Sequence, residues 1–79
     1  MNSTTKITMD TDRIIFGDGV MALDNYDELS FKFTYYKSDG EVRVHLEGGK
    51  IGIHQLAHFT QKAKDNAKEA VKMYIGEAA

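Results

Sequence analysis

The segment FKFTYYKSDGEVRVHLE, residues 31–47, restricts the fold more than any other stretch of the chain. Apolar and polar residues alternate on both sides of Asp39-Gly40, the period of two that marks a strand with one buried face. An Asp-Gly pair between two such runs is a strong hairpin signal, because a tight turn needs the positive φ that glycine takes without penalty. A two-residue loop there sets Tyr35 against Val44 and Phe33 against Leu46, on an apolar face that also holds Val42. On the other face Tyr36 meets Arg43, Thr34 meets His45 and Lys32 meets Glu47. An antiparallel sheet is therefore expected.

The same reasoning applied to residues 14–23, IIFGDGVMAL, places a second turn at Asp18-Gly19. It pairs Phe16 with Met21 and Ile14 with Leu23, leaving Ile15, Val20 and Ala22 on the opposite face. These glycines read as turn formers rather than ligand holders. A phosphate cradle needs a longer glycine-rich run opening a helix with a Lys, and a calcium loop needs spaced acidic ligands ending in a distant Glu. The N-terminal TTKITM alternates weakly and supplies a further strand. From residue 53 to 75, Ile53, Leu56, Thr60, Ala63, Ala67, Ala70, Val71, Tyr74 and Ile75 recur at three- and four-residue spacing. That is a helix with one buried stripe, ended by Gly76. The expectation is one α+β domain over residues 1–79: an antiparallel sheet of four or five strands, with hairpins turning at Asp18-Gly19 and Asp39-Gly40 and one C-terminal helix packed on one face.

Seventy-nine residues bury only roughly 60% of the surface that the unfolded chain exposes. With no cysteine to staple the chain, self-association becomes a plausible support, and the apolar Ile15, Val20 and Ala22 predict a homodimer that covers them. Absence of cysteine also fits a reducing, cytoplasmic setting. No apolar run approaches the roughly 20 residues that span a bilayer, so no membrane partner is expected.

The net charge of -2 conceals a division. Residues 1–30 hold six carboxylates against Lys6 and Arg13, a balance of -4, whereas the remainder is mildly basic. Between Arg13 and Lys32 no cation offsets Asp18, Asp24, Asp27 and Glu28, and Tyr26 lies among them. Such a strip attracts a basic partner and speeds encounter, or simply keeps the chain soluble. The functional expectation is a non-enzymatic protein-binding module that engages a basic protein through Asp18, Asp24, Tyr26, Asp27 and Glu28. In its sharp form the chain is a DNA-mimic inhibitor of a DNA-binding protein, in the style of phage or mobile-element proteins. The alternative is direct nucleic-acid binding through Lys32, Tyr36, Arg43 and His45 on the uncovered sheet face and the helix row Lys64, Lys68 and Lys72. A structural dimer subunit is the third reading.

His54 and His58, four positions apart, share a helix face at a spacing that metal sites use, with His45 as a third candidate. No Glu separates them and no fourth ligand is evident, so neither a metal nor another cofactor is expected. Ser3, Ser30 and Ser38 have no accompanying His and Asp arrangement, and no catalytic residue is assigned.

Overall fold

A computed structural model describes residues 4–22, 28–47 and 51–78. Strands β1 (Thr4–Asp10), β2 (Ile14–Ala22), β3 (Glu28–Tyr36) and β4 (Glu41–Glu47) form one antiparallel sheet in the order β1-β2-β3-β4. Helix α1 (Ile53–Ala78) lies across one face and touches all four strands. The α+β architecture is the one expected. Among the described residues, no helix is long and apolar enough to cross a membrane.

The turn expected at Asp18-Gly19 does not exist. Both residues are in the middle of β2, where Asp18 pairs with Lys6 on β1 and Lys32 on β3, and Phe16 pairs with Met9 and Thr34 instead of Met21. The chain reverses earlier, at Asp12-Arg13. There the Thr11 amide donates to the Ile14 carbonyl at 2.8 Å, and the Thr11 hydroxyl accepts from the Ile14 amide at 3.1 Å. The glycines serve a different purpose. A Cβ at Gly17 would overlap the Phe33 ring and stand 2.5 Å from the Lys6 carbonyl oxygen; one at Gly19 would stand 2.5 Å from the Phe31 ring. Two aromatic rings from β3 thus lie over a strand whose side chains have been removed to admit them. This register also moves Ile15 into the core, 1% exposed, away from Val20 and Ala22, which remain on the face opposite the helix.

The second hairpin forms where expected but with a longer loop. Residues 37–40 connect the strands, so Tyr35 faces Val42, Phe33 faces Val44 and Phe31 faces Leu46, two positions away from the expected register. A two-residue turn of type I′ would place positive φ on both Asp39 and Gly40. In the longer loop that forms, Gly40 takes the left-handed conformation that glycine favours, at φ 74°. Its amide donates to the Tyr36 carbonyl at 2.8 Å, and the Asp39 carboxylate accepts the Glu41 amide at 3.0 Å. Because the slip is even, every side chain keeps its face.

Helix α1 buries Ala63, Ala67 and Val71, with Phe59 and Tyr74 packed beside them. Alanine lets the helix approach closely to the bulky rings of Phe31 and Phe33, and these residues close the core with Ile15, Met21, Leu29 and Val42. The stripe is shorter than its sequence pattern implied. Ile53 is 88% exposed and Leu56 49%, although their spacing puts them in line with Ala63 and Ala67. A helix of 26 residues is about 39 Å long, more than a four-stranded sheet can underlie crosswise, so its first turns project past the core. Ile75 is also exposed, and the helix continues through Gly76 to Ala78.

Candidate functional site

Alternation that sends one set of side chains under α1 sends the other set to an uncovered face. The register arranges that face in rows across the strands. Lys6, Asp18, Lys32 and His45 form one row; Met9, Phe16, Thr34 and Arg43 form the next; Ile14, Tyr36 and Glu41 form a third. A bulge between Ile7 and Met9 allows β1 to join both rows. Ile14, Phe16, Val20 and Tyr36 are half-buried in the sheet surface, while Lys6, Lys32, Arg43, His45, Glu41 and Glu47 are exposed around them.

The centre of the face is a shallow hollow of about 510 Å³ lined by Thr8, Phe16, Lys32, Thr34, Tyr36 and Arg43, among others. The Arg43 guanidinium stands 5.5 Å from the centroid of the Tyr36 ring, and its Nε donates to Glu41 at 3.3 Å. Lys32 Nζ is 3.7 Å from Glu47. The cation over the ring and the Lys32 to Glu47 pair were both expected from sequence, and both form diagonally because of the register slip. Exposed pairs of this kind contribute little to stability, so their members are free to exchange partners with a ligand.

The sequence-assigned residues divide among three places. Asp18 is half-buried between two lysines, one on each neighbouring strand. Glu28 is exposed at the start of β3, on this same face. Asp24, Tyr26 and Asp27 lie outside the described residues. Lys32, Tyr36, Arg43 and His45 come together as expected, but Lys64, Lys68 and Lys72 belong to α1, in the layer behind the sheet, so the two groups do not form one surface. His54 and His58 are exposed on the first turns of α1. Among the described residues no three His, Cys, Asp or Glu side chains gather to hold a metal.

Against known proteins the chain matches no family model, no curated sequence and no solved structure. The uncovered face must be judged by its own chemistry.

Two features of the site were missed in the sequence. Phe16 and Thr8 line the hollow, yet the assumed turn had put Phe16 with the buried residues. The residues from Ile14 to Ala22 do not alternate in polarity, so nothing local in the sequence showed that the strand continues through Asp18. The second is a polar clasp behind the sheet. Tyr74 donates its hydroxyl to Asp10 Oδ2 at 2.8 Å, and Lys37 Nζ donates to Asp10 Oδ1 at 2.8 Å and to the Thr11 carbonyl at 2.6 Å. The hydrogen bond from Lys37, followed by that from Tyr74, holds the Asp10 carboxyl below its ordinary range. The bond to Asp10 and partial desolvation push the Tyr74 phenol up.

Proposed function

We propose that the chain is a non-enzymatic binding module that engages a partner protein through the sheet face left open by α1. One observation carries this reading: half-buried Ile14, Phe16 and Tyr36 form a contiguous apolar patch toward one end of the open face, bordered by the exposed charges of Lys32, Arg43 and Glu41. An apolar patch with a polar border is the anatomy of a protein interface. A cysteine-free chain suits work in the cytoplasm.

In its sharper form, the partner is basic and the chain imitates the charge of DNA. Glu28 supports that form, being an exposed carboxylate on the open face. Asp18 counts against it, because Lys6 and Lys32 flank it and a mixed row does not resemble a phosphate backbone. A partner surface of mixed charge fits the described residues better. A second reading, single-stranded nucleic acid on the same face, draws on the grouping of Tyr36, Arg43, Lys32 and His45, which offers an aromatic ring and cations side by side.

Affinity capture with the immobilised chain tests these readings together. A protein captured by the wild type and lost with Phe16→Ser or Tyr36→Ala, but kept when Lys64, Lys68 and Lys72 are changed to Gln, supports the open face. Loss on changing Asp18 and Glu28 to amides adds the acidic form. Recovery of nucleic acid alone replaces the first reading by the second, and capture indifferent to Phe16 and Tyr36 removes both.

A further inference from the structure

The two edges of the sheet are built differently. β1 carries Lys6 at mid-strand and a bulge between Ile7 and Met9, devices that blunt an edge against further pairing. β4 has no bulge: Glu41–Glu47 pairs with β3 in unbroken register and leaves its other side at the border of the sheet, and its own cation, Arg43, is offset by carboxylates of the same strand, Glu41 at 3.3 Å among them. Among the described residues, no loop or helix backbone group hydrogen-bonds to residues 42–47 outside the sheet. A regular edge strand of this length is a template for a strand whose charges complement its own.

We propose that β4 is a dimerisation edge, pairing antiparallel with β4 of a second copy about a two-fold axis at His45. The charge sequence of the strand selects both the occupant and the register. A two-fold axis normal to the sheet pairs residues of like parity and keeps both helices on one side. Centred on Val44, the pairing would oppose Glu41 to Glu47 and Arg43 to His45. Centred on Arg43, it would oppose two arginines. Centred on His45, it sets Arg43 against Glu47 twice and Val44 against Leu46 twice, with the two imidazoles at the axis. Only this last register, among those overlapping by five residues or more, places opposite charges together without a like-charged carboxylate or guanidinium pair.

The apolar side agrees. Val44 and Leu46 are half-buried in the single chain, on the helix side of the border strand, and the partner's Leu46 and Val44 would cover them. The exposed Ile53 and Leu56 follow β4 after the short connection of residues 48–52 and add apolar surface on that same side. Pairing at the edge leaves the open face available, so this dimer is independent of the function proposed above.

Sedimentation equilibrium of the full chain, up to about 0.5 mM where even a weak interface registers, tests the assignment. The wild type is expected at twice the 8.9 kDa chain mass at the upper concentrations. Arg43→Glu or Glu47→Arg alone should weaken the dimer about ten-fold or more, since each turns two attractive pairs into repulsive ones. The exchange Arg43→Glu with Glu47→Arg should restore it to within about three-fold. Both side chains are exposed, 72% for Arg43 and 44% for Glu47, so circular dichroism should show an intact fold in every variant. A wild type monomeric at the highest concentration overturns the proposal. So does a dimer indifferent to Arg43→Glu, which points to another surface, or a charge exchange that fails to restore association in a folded chain.

Discussion

The two faces of this sheet are made by the same strands yet obey different rules. On β2 the helix-facing positions are Ile15, Gly17, Gly19 and Met21, and the open positions are Ile14, Phe16, Asp18 and Val20. The first set is shaped by its neighbours to within an atom: Phe31 and Phe33, 1% and 2% exposed, fill space that the glycines vacate, with ring centroids 6.4 Å apart. The second set meets no covering layer, and its residues are half-buried by the sheet alone. Close packing constrains composition where a layer covers a strand, and it leaves composition available for recognition where none does.

The largest test of that asymmetry is a pair of aromatic truncations. Phe33→Ala should cost about 3–5 kcal/mol in chemical denaturation, a large share of the roughly 4–12 kcal/mol that a chain of this size has. Phe16→Ala, half-buried on the open face, should cost about 1 kcal/mol. Equal losses would break the comparison. Gly17→Ala comes next: its Cβ has to displace the Phe33 ring or the β1 backbone, for about 1–3 kcal/mol, whereas Asp18→Ala one position away should stay within about 0.5 kcal/mol. A neutral Gly17→Ala would mean that the ring does not cross the strand there.

Smaller effects sharpen the picture of the covered side. Asn66 on α1 has a buried Nδ2 with no hydrogen-bond partner among the described residues, so Asn66→Ala should raise stability by about 1 kcal/mol, combining relief of that donor with better helix propensity. A fall in the melting temperature would show that the amide is satisfied after all. The smallest effect belongs to the exposed clasp of Asp10, Lys37 and Tyr74. With its pKa lowered, Asp10 contributes stability that is complete above the ordinary carboxylate value of about 4 and is lost as pH falls through the lower folded value. With its pKa raised, Tyr74 contributes stability that is complete below about 10 and is lost as pH climbs through the higher folded value. Tyr74→Phe should remove the alkaline limb and flatten the acid limb only in part, since Lys37 still holds Asp10, and unchanged limbs would show that the bond from Tyr74 contributes nothing.

What was legible in the sequence follows the same division. Alternation along residues 31–36 and 41–46 identified both strands and both of their faces, because faces depend only on parity. The periodic alanines identified the helix and the middle of its buried stripe, Ala63 to Val71. The error at Asp18-Gly19 has a physical root: a residue without a side chain serves equally to turn a chain and to let a ring pass over it. The discriminating signal was long-range. Gly17 and Gly19 are two apart, as are Phe31 and Phe33, and only strand pairing brings the two spacings into register. Ile53 and Leu56 misled for a related reason, since periodicity reports the direction of a side chain and not whether a sheet extends beneath it. The clasp left no trace, its members being separated by up to 64 positions.

The strand order bears on how the chain acquires its shape. Every strand neighbours its own successor in sequence, so the sheet assembles through short closures at low entropic cost. Helix α1 alone must reach back to the first strand, where Tyr74 meets Asp10. Docking of the helix is therefore expected late. Ala67→Gly should speed unfolding and leave the folding rate nearly unchanged, a pattern that stopped-flow kinetics would reveal, and a matching drop in the folding rate would place the helix in the nucleus instead. During synthesis the consequence is sharper, because α1 is the last of these elements to emerge. Until it does, the rings of Phe31 and Phe33 face outward on a nascent sheet with both edges open, and that interval is when this chain is most exposed to aggregation.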